Sequence, residues 1–198
     1  MPNRRSSDPA GVSAAARKIV VAGGFGVGKT TFIGAVSEIT PLTTEERMTE
    51  ASVPTDSLEG VESKNTTTVA LDFGRITFDS GLELFLFGTP GQPRFLPIWD
   101  RLSYGAIGAV ILVDTRRLGT SFAAVDHFEK RRLPFVVAIN EFDDAERYSE
   151  SEIRHALSLD ADVPVISCDA RRDYSAGWVL ITLVEHALTT PLVLDVHP

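Results

Sequence analysis

The sequence holds a single cysteine, Cys168, among 198 residues. That excludes a disulfide framework and a cysteine-built metal centre. Histidine is scarce too. His127, His155, His186 and His197 are scattered, which suits structural or exposed roles better than ligation. No basic stripe appears, and the formal charge is −8. Nucleic acid and anionic membrane are therefore poor candidates for a main partner. Long apolar runs are missing: the longest, Ala106 to Val113, is far too short to span a bilayer. Met1 to Arg17 is rich in Ser, Ala, Pro and Arg and lacks an apolar signal core, so it is expected to be a disordered tail. Lipidation motifs are absent, with Pro at position 2 and Val196-His197-Pro198 at the other end. The expectation is a cytoplasmic protein without direct membrane insertion. Its length suits one ordinary domain with a sizeable core.

What the chain does have is Gly23-Gly24-Phe25-Gly26-Val27-Gly28-Lys29-Thr30. This fits G-x-x-x-x-G-K-[ST], the phosphate-binding P-loop. Lys18-Ile19-Val20-Val21-Ala22 leads in as a short apolar strand. Thr31-Phe32-Ile33-Gly34-Ala35-Val36-Ser37 leads out with helical spacing of its apolar residues. Glycines let backbone N–H groups converge on phosphate oxygens, and the helix N-terminus adds a positive dipole end. Lys29 is placed to reach the terminal phosphates, and the Thr30 hydroxyl to ligate Mg²⁺.

Strand-like and helix-like segments alternate along the rest. A long polar stretch from about Thr40 to Asn65 reads as a loop, functional or disordered. Thr68 to Ile76 alternates apolar and polar residues, and Leu82 to Phe87 follows a Ser80-Gly81 turn, which predicts a hairpin. Ala109–Val113 and Phe135–Ile139 read as buried strands, and Val163–Ile166 as a weaker one. Helical patterns lie near 121–131, 150–157 and 176–188. Together these predict a doubly wound α/β fold of the P-loop NTPase type. Its six-stranded sheet is mostly parallel with one antiparallel strand, and helices cover both faces. The expected boundaries are a tail over 1–17, a domain over 18–190 and a short tail over 191–198.

In such folds ligands bind where the strands end. The residues found there are Gly88-Thr89-Pro90-Gly91-Gln92, Asn140-Glu141-Phe142-Asp143 and Ser167-Cys168-Asp169-Ala170-Arg171. Their order resembles the Ras-like small GTPases over about Lys18 to Leu188. The Thr-Pro-Gly-Gln and Asn-x-Phe-Asp motifs resemble those of MglA-type bacterial GTPases, in particular the GTP-binding component of actinobacterial conservons. The strand Thr66-Thr67-Thr68-Val-Ala-Leu-Asp-Phe-Gly and the helix at 180–188 add to the likeness.

The resemblance implies a site for GTP or GDP built from residues 23–31 (Thr31 included), Thr68, Gly91, Asn140, Asp143, Asp169, Ala170 and Arg171. Asp143 would accept hydrogen bonds from guanine N1–H and the 2-amino group. Adenine lacks both donors, and such sites reject the wrong partner by roughly 10⁴-fold in the best cases. Asn140 would tie the base-binding segment to the P-loop. The Ala170 N–H would face the guanine oxygen, between Asp169 and Arg171. Thr30 and Thr68 would hold Mg²⁺, with Thr66 or Thr67 as register alternatives. Gln92 would orient the attacking water, with Lys29 and Gly91 contacting the γ-phosphate. The implied partners are a roadblock-type regulator and, indirectly, a sensor-kinase-like membrane protein.

Three positions depart from the eukaryotic pattern. Glu141 replaces a lysine, Phe25 replaces a glycine, and Gly88 stands where most P-loop enzymes carry the Mg²⁺-binding aspartate. Asp114 and Asp56 are candidates to replace that acid, and Arg47 and Arg94 are candidate arginines in cis. The segment with Phe95, Leu96, Ile98 and Trp99 is either a partner-binding patch or packing on the sheet. Three functions stay open: a GTP-hydrolysing switch, a nucleotide-holding scaffold with little turnover, and a P-loop kinase or ATPase for a small molecule.

Overall fold

A computed structural model describes residues 16–49, 66–92 and 95–190. Seven strands form one sheet in the order β2-β3-β4-β1-β5-β6-β7. They are β1 (Ala16–Gly23), β2 (Leu42–Thr49), β3 (Thr66–Thr77), β4 (Glu83–Gly88), β5 (Ala106–Val113), β6 (Phe135–Asn140) and β7 (Val165–Cys168). Helices α1 (Lys29–Val36), α2 (Leu96–Ser103), α3 (Phe122–Lys130), α4 (Glu150–Ala156) and α5 (Asp173–Thr189) alternate with them.

β1 runs parallel to β4 and β5, and β5, β6 and β7 continue in parallel. β3 is antiparallel to both β2 and β4, so it is the one reversed strand. The expected doubly wound architecture therefore stands, with one strand added at the edge. β2 falls in the stretch expected to be loop. Its sequence, Leu-Thr-Thr-Glu-Glu-Arg-Met-Thr, has no apolar alternation, and pairing with β3 across Leu42↔Phe73 to Thr49↔Thr66 is what defines it. Charged residues suit an edge strand, where they discourage pairing with other chains. β1 begins at Ala16, two residues before the expected boundary.

The sheet is buried on both sides. Val20, Ala22, Ile111, Val113, Val137 and Ile139 pack against α2, α3 and α4 through Trp99, Phe128 and Ile153. Ile19, Val21, Val110, Leu112, Val136 and Ala138 pack against α1 and α5 through Phe32, Ile33, Val179 and Leu183. Alternate residues of one strand thus serve opposite layers, as the pleat requires. Among the described residues no helix is long and apolar enough to cross a membrane.

α2 decides the question left open at Phe95 to Trp99. Phe95, Ile98, Trp99 and Leu102 are all buried, so they are core and not a surface patch. The Trp99 ring stacks with Phe128 at 6.2 Å, and its indole N–H donates to the Pro90 carbonyl at 3.0 Å. Packing thereby anchors the segment that follows β4.

Candidate functional site

The loop between β1 and α1 is the centre of the site. Gly28 has φ +103, a left-handed backbone that disfavours any side chain. A β-carbon there would also lie 2.6 Å from Asn140 Nδ2. That nitrogen donates to the Val27 carbonyl at 2.9 Å, while Asn140 Oδ1 accepts from the Ala170 N–H at 3.1 Å. One buried amide thus joins the P-loop to the ends of β6 and β7. The tie expected of Asn140 is present. The Ala170 N–H, expected to face the guanine oxygen, is the donor in this bond to Asn140 Oδ1.

Lys29 opens α1 and is buried. Its ammonium donates to the Gly23 and Gly24 carbonyls at 3.0 and 2.7 Å. Burial pushes its pKa down to about 8, and the Asp72 carboxylate pulls the other way. Thr30 and Thr31 are exposed on the first turn of α1, Phe25 is exposed at the loop tip, and Val27 is buried beneath it.

The space beside Gly88 holds an acidic side chain, Asp72, that the motifs do not single out. Asp72 on β3 accepts a hydrogen bond from the Thr30 hydroxyl, Oγ1 to Oδ2 at 2.6 Å. A β-carbon on Gly88 would lie 3.1 Å from Asp72 Cβ and 3.4 Å from its Oδ2. The Asp72 carboxyl therefore fills the space beside Gly88 from the neighbouring strand. Phe73 pairs with Phe87, so the register brings Asp72 across from Gly88. The predicted hairpin carried that signal, because strand pairing fixes which side chains share a face.

Asp114 does not take that role. It is buried, and its carboxylate accepts from the Arg116 N–H, Nε and Nη2 at 3.0, 2.9 and 2.9 Å, and from Arg117 Nε and Nη2 at 3.3 and 3.1 Å. The two guanidiniums hold its pKa below the usual carboxylate range. Asp56 and Arg94 lie outside the described residues. Arg47 and Thr68 pair across β2 and β3; their side chains lie outside the description.

Gly91 rests on the P-loop itself. A β-carbon there would stand 2.6 Å from Phe25 N and 2.7 Å from both Phe25 Cα and the Gly24 carbonyl carbon. Gln92 is half-buried beside it, and its carbonyl accepts from the Phe95 N–H.

At the far end, Arg171 links two carboxylates. It donates through Nη1 and Nη2 to Asp143 at 3.1 Å each, and through Nε to Asp169 at 2.9 Å. Both acids are held below their ordinary pKa, chiefly by hydrogen bonds from Arg171. Glu141 pairs with Arg147, so its charge is matched within its own loop.

Residues 21–190 match the family described as conserved hypothetical ATP binding protein. The chain belongs to this family. Membership makes it a P-loop nucleotide-binding protein, in keeping with the geometry of the loop. No curated protein gives a significant match. Among solved structures, the G domain of the FeoB iron transporter of T. maritima is similar. It is 20% identical with a TM-score of 0.59, covering 87% of this chain and 99% of that one. The FeoB G domain of Methanococcus jannaschii is 14% identical with a TM-score of 0.58, covering 88% and 99%. A GDP form of the T. maritima FeoB cytosolic domain is 18% identical with a TM-score of 0.61, covering 91% and 68%. At these identities the likeness establishes a shared fold.

Proposed function

We propose that the chain is a small guanine-nucleotide-binding protein that hydrolyses GTP slowly and works as a switch in a bacterial signalling system. The observation that carries this reading is the Asn140 bridge, which joins the P-loop to the two segments bearing Asp143 and Ala170. Asp143 then selects guanine through N1–H and the 2-amino group, where adenine would leave a carboxylate unpaired. Guanine competes with Arg171 for that carboxylate, or shares it, since each oxygen has two acceptor positions. The GDP form of the similar FeoB domain agrees with a guanine site on this fold.

Lys29 and the loop N–H groups bind the phosphates. The residues present fit Mg²⁺: a hydroxyl and a carboxylate within 2.6 Å of each other are hard oxygen donors beside the phosphate loop. Thr30 would hold the ion directly and Asp72 through water, with Thr68 as a further ligand. The ion would neutralise charge building on the phosphate oxygens. Gln92 orients the attacking water, and Gly91 reads the γ-phosphate. Loss of that phosphate ends the contacts proposed for Thr68 and Gly91, which is the switch. The finer assignment is to the MglA-type conservon component, with a roadblock-type regulator and, less directly, a sensor-kinase-like membrane protein as partners. A single domain ending near residue 190, its start moved from the expected 18 to Ala16 where β1 begins, belongs to the same reading.

Two contacts support slow turnover. Lys29 is satisfied by Gly23 and Gly24 carbonyls, and Gly91 sits against the loop backbone, so GTP must rearrange both. The same contacts favour a second reading, a nucleotide-bound scaffold with little hydrolysis. Single-turnover GTP hydrolysis separates the two. A rate abolished by Gln92→Leu, with GTP affinity unchanged, supports the switch. No hydrolysis above the solution rate supports the scaffold.

A further inference from the structure

We propose that Arg117 is a nucleotide-site residue. It is the cation at the rim of the phosphate loop that position 141 does not supply, set in place by Asp114. The inference rests on reading residues 23–30 as a nucleotide site. The turn Thr115–Thr120, which follows β5, packs directly on that loop. A β-carbon on Gly24 would lie 2.4 Å from Thr120 Oγ1. A β-carbon on Gly26 would have an Arg117 guanidinium nitrogen 3.5 Å away, its nearest neighbour. Arg117 itself departs from the 3₁₀ backbone around it, with φ −142 and ψ 44.

Asp114 sorts its two arginines. Arg116 stacks over the Phe142 ring at 3.9 Å and bonds Asp144 at 2.6 Å, so it serves the Asn140–Asp143 segment. Arg117 turns to the phosphate loop with its side chain 48% exposed. Asp114 takes its Nε–H and one Nη2–H. A guanidinium carries five N–H donors, so others are left for phosphate or ribose oxygen.

The charges near the loop call for such a cation. Asp72 stands beside Thr30, and Glu141, already matched by Arg147, brings no cation to the loop. A nucleoside diphosphate brings about three more negative charges, given a terminal phosphate pKa near 6. Arg117 is a buttress from the end of β5 for a position that is acidic at the end of β6.

The test measures dissociation of fluorescent GDP and fluorescent ADP from wild type, Arg117→Gln and Arg117→Lys, at low and high salt. Arg117→Gln is expected to speed release about tenfold for either nucleotide, since the contact is with phosphate or sugar and not with the base. Arg117→Lys recovers part of the loss. The gap narrows to about twofold at 0.5 M salt, because a half-exposed charge is screened. A structural counter-ion to Asp114 would instead lower the melting temperature of the nucleotide-free protein and leave release within twofold of wild type, which would overturn the proposal alone. Failure of wild type to hold either nucleotide would overturn it together with the nucleotide-site reading.

Discussion

Replacing Asn140 by alanine tests whether one amide holds the site together. Asn140 is 6% exposed, and both its partners are buried, Val27 and Ala170 each at 1%. Truncation leaves the Val27 carbonyl and the Ala170 N–H without their hydrogen bonds. Each buried unsatisfied group costs about 1–3 kcal/mol. Two such groups give about 2–6 kcal/mol, and water entering the gap brings this toward about 3 kcal/mol. In a domain of this size each kcal/mol moves Tm by about 2–4 °C, so the expected fall is about 6–12 °C. Asn140→Asp keeps an acceptor for Ala170 but turns a carboxylate oxygen toward the Val27 carbonyl, and loses at least as much. The assay is urea and thermal unfolding without nucleotide. A loss below about 0.5 kcal/mol, the level of an ordinary surface substitution, would refute the bridge as a structural tie.

Three further perturbations separate the parts of the site. Asp72→Ala should lower Mg²⁺ affinity by about 10–100-fold, as loss of an outer partner to a metal does, read as a weaker effect of chelator on nucleotide release. Unchanged chelator sensitivity would remove Asp72 from the metal site. Gly91→Ala should push the segment after β4 off the P-loop at a cost of about 1–3 kcal/mol, seen by unfolding and by Trp99 emission in a Trp178→Phe background. Unaltered stability and emission would mean that the contact is easily given up. For Lys29, the folded value of about 8 lies below the ordinary lysine value of 10.5, so stability of the nucleotide-free protein rises with pH between those values. Bound phosphates restore the proton, so nucleotide binding above pH 8 takes up a proton, measurable by calorimetry in buffers of different ionisation heat. Proton-neutral binding at pH 9 would contradict this.

The parts of the fold legible in the sequence are those that carry their own periodicity. β5 and β6 are unbroken apolar runs because both faces of each strand are covered, and α3, α4 and α5 fall on the helical patterns. β2 and α2 were illegible for different reasons. β2 is polar and exists through its pairing with β3. α2 begins beside a proline, which hides a helical pattern, yet Pro97 sits in its first turn, where the missing N–H costs nothing. Within the site, the P-loop and Asn140 could be read from motif and spacing. Asp72 needed the hairpin register to be carried one pair further. Arg117 needed the path of the turn after β5, which no local pattern sets.

The central claim is guanine recognition by Asp143, and it stands against a family whose description names ATP. Competition binding of GTP, GDP and ATP, with and without Mg²⁺, on wild type and Asp143→Ala tests it most directly. The account predicts guanine nucleotides preferred by about 10³-fold or more in wild type, toward the roughly 10⁴-fold of the best sites that read a polar group, with the preference lost in Asp143→Ala. ATP binding as tight as GTP, unmoved by the substitution, would contradict it.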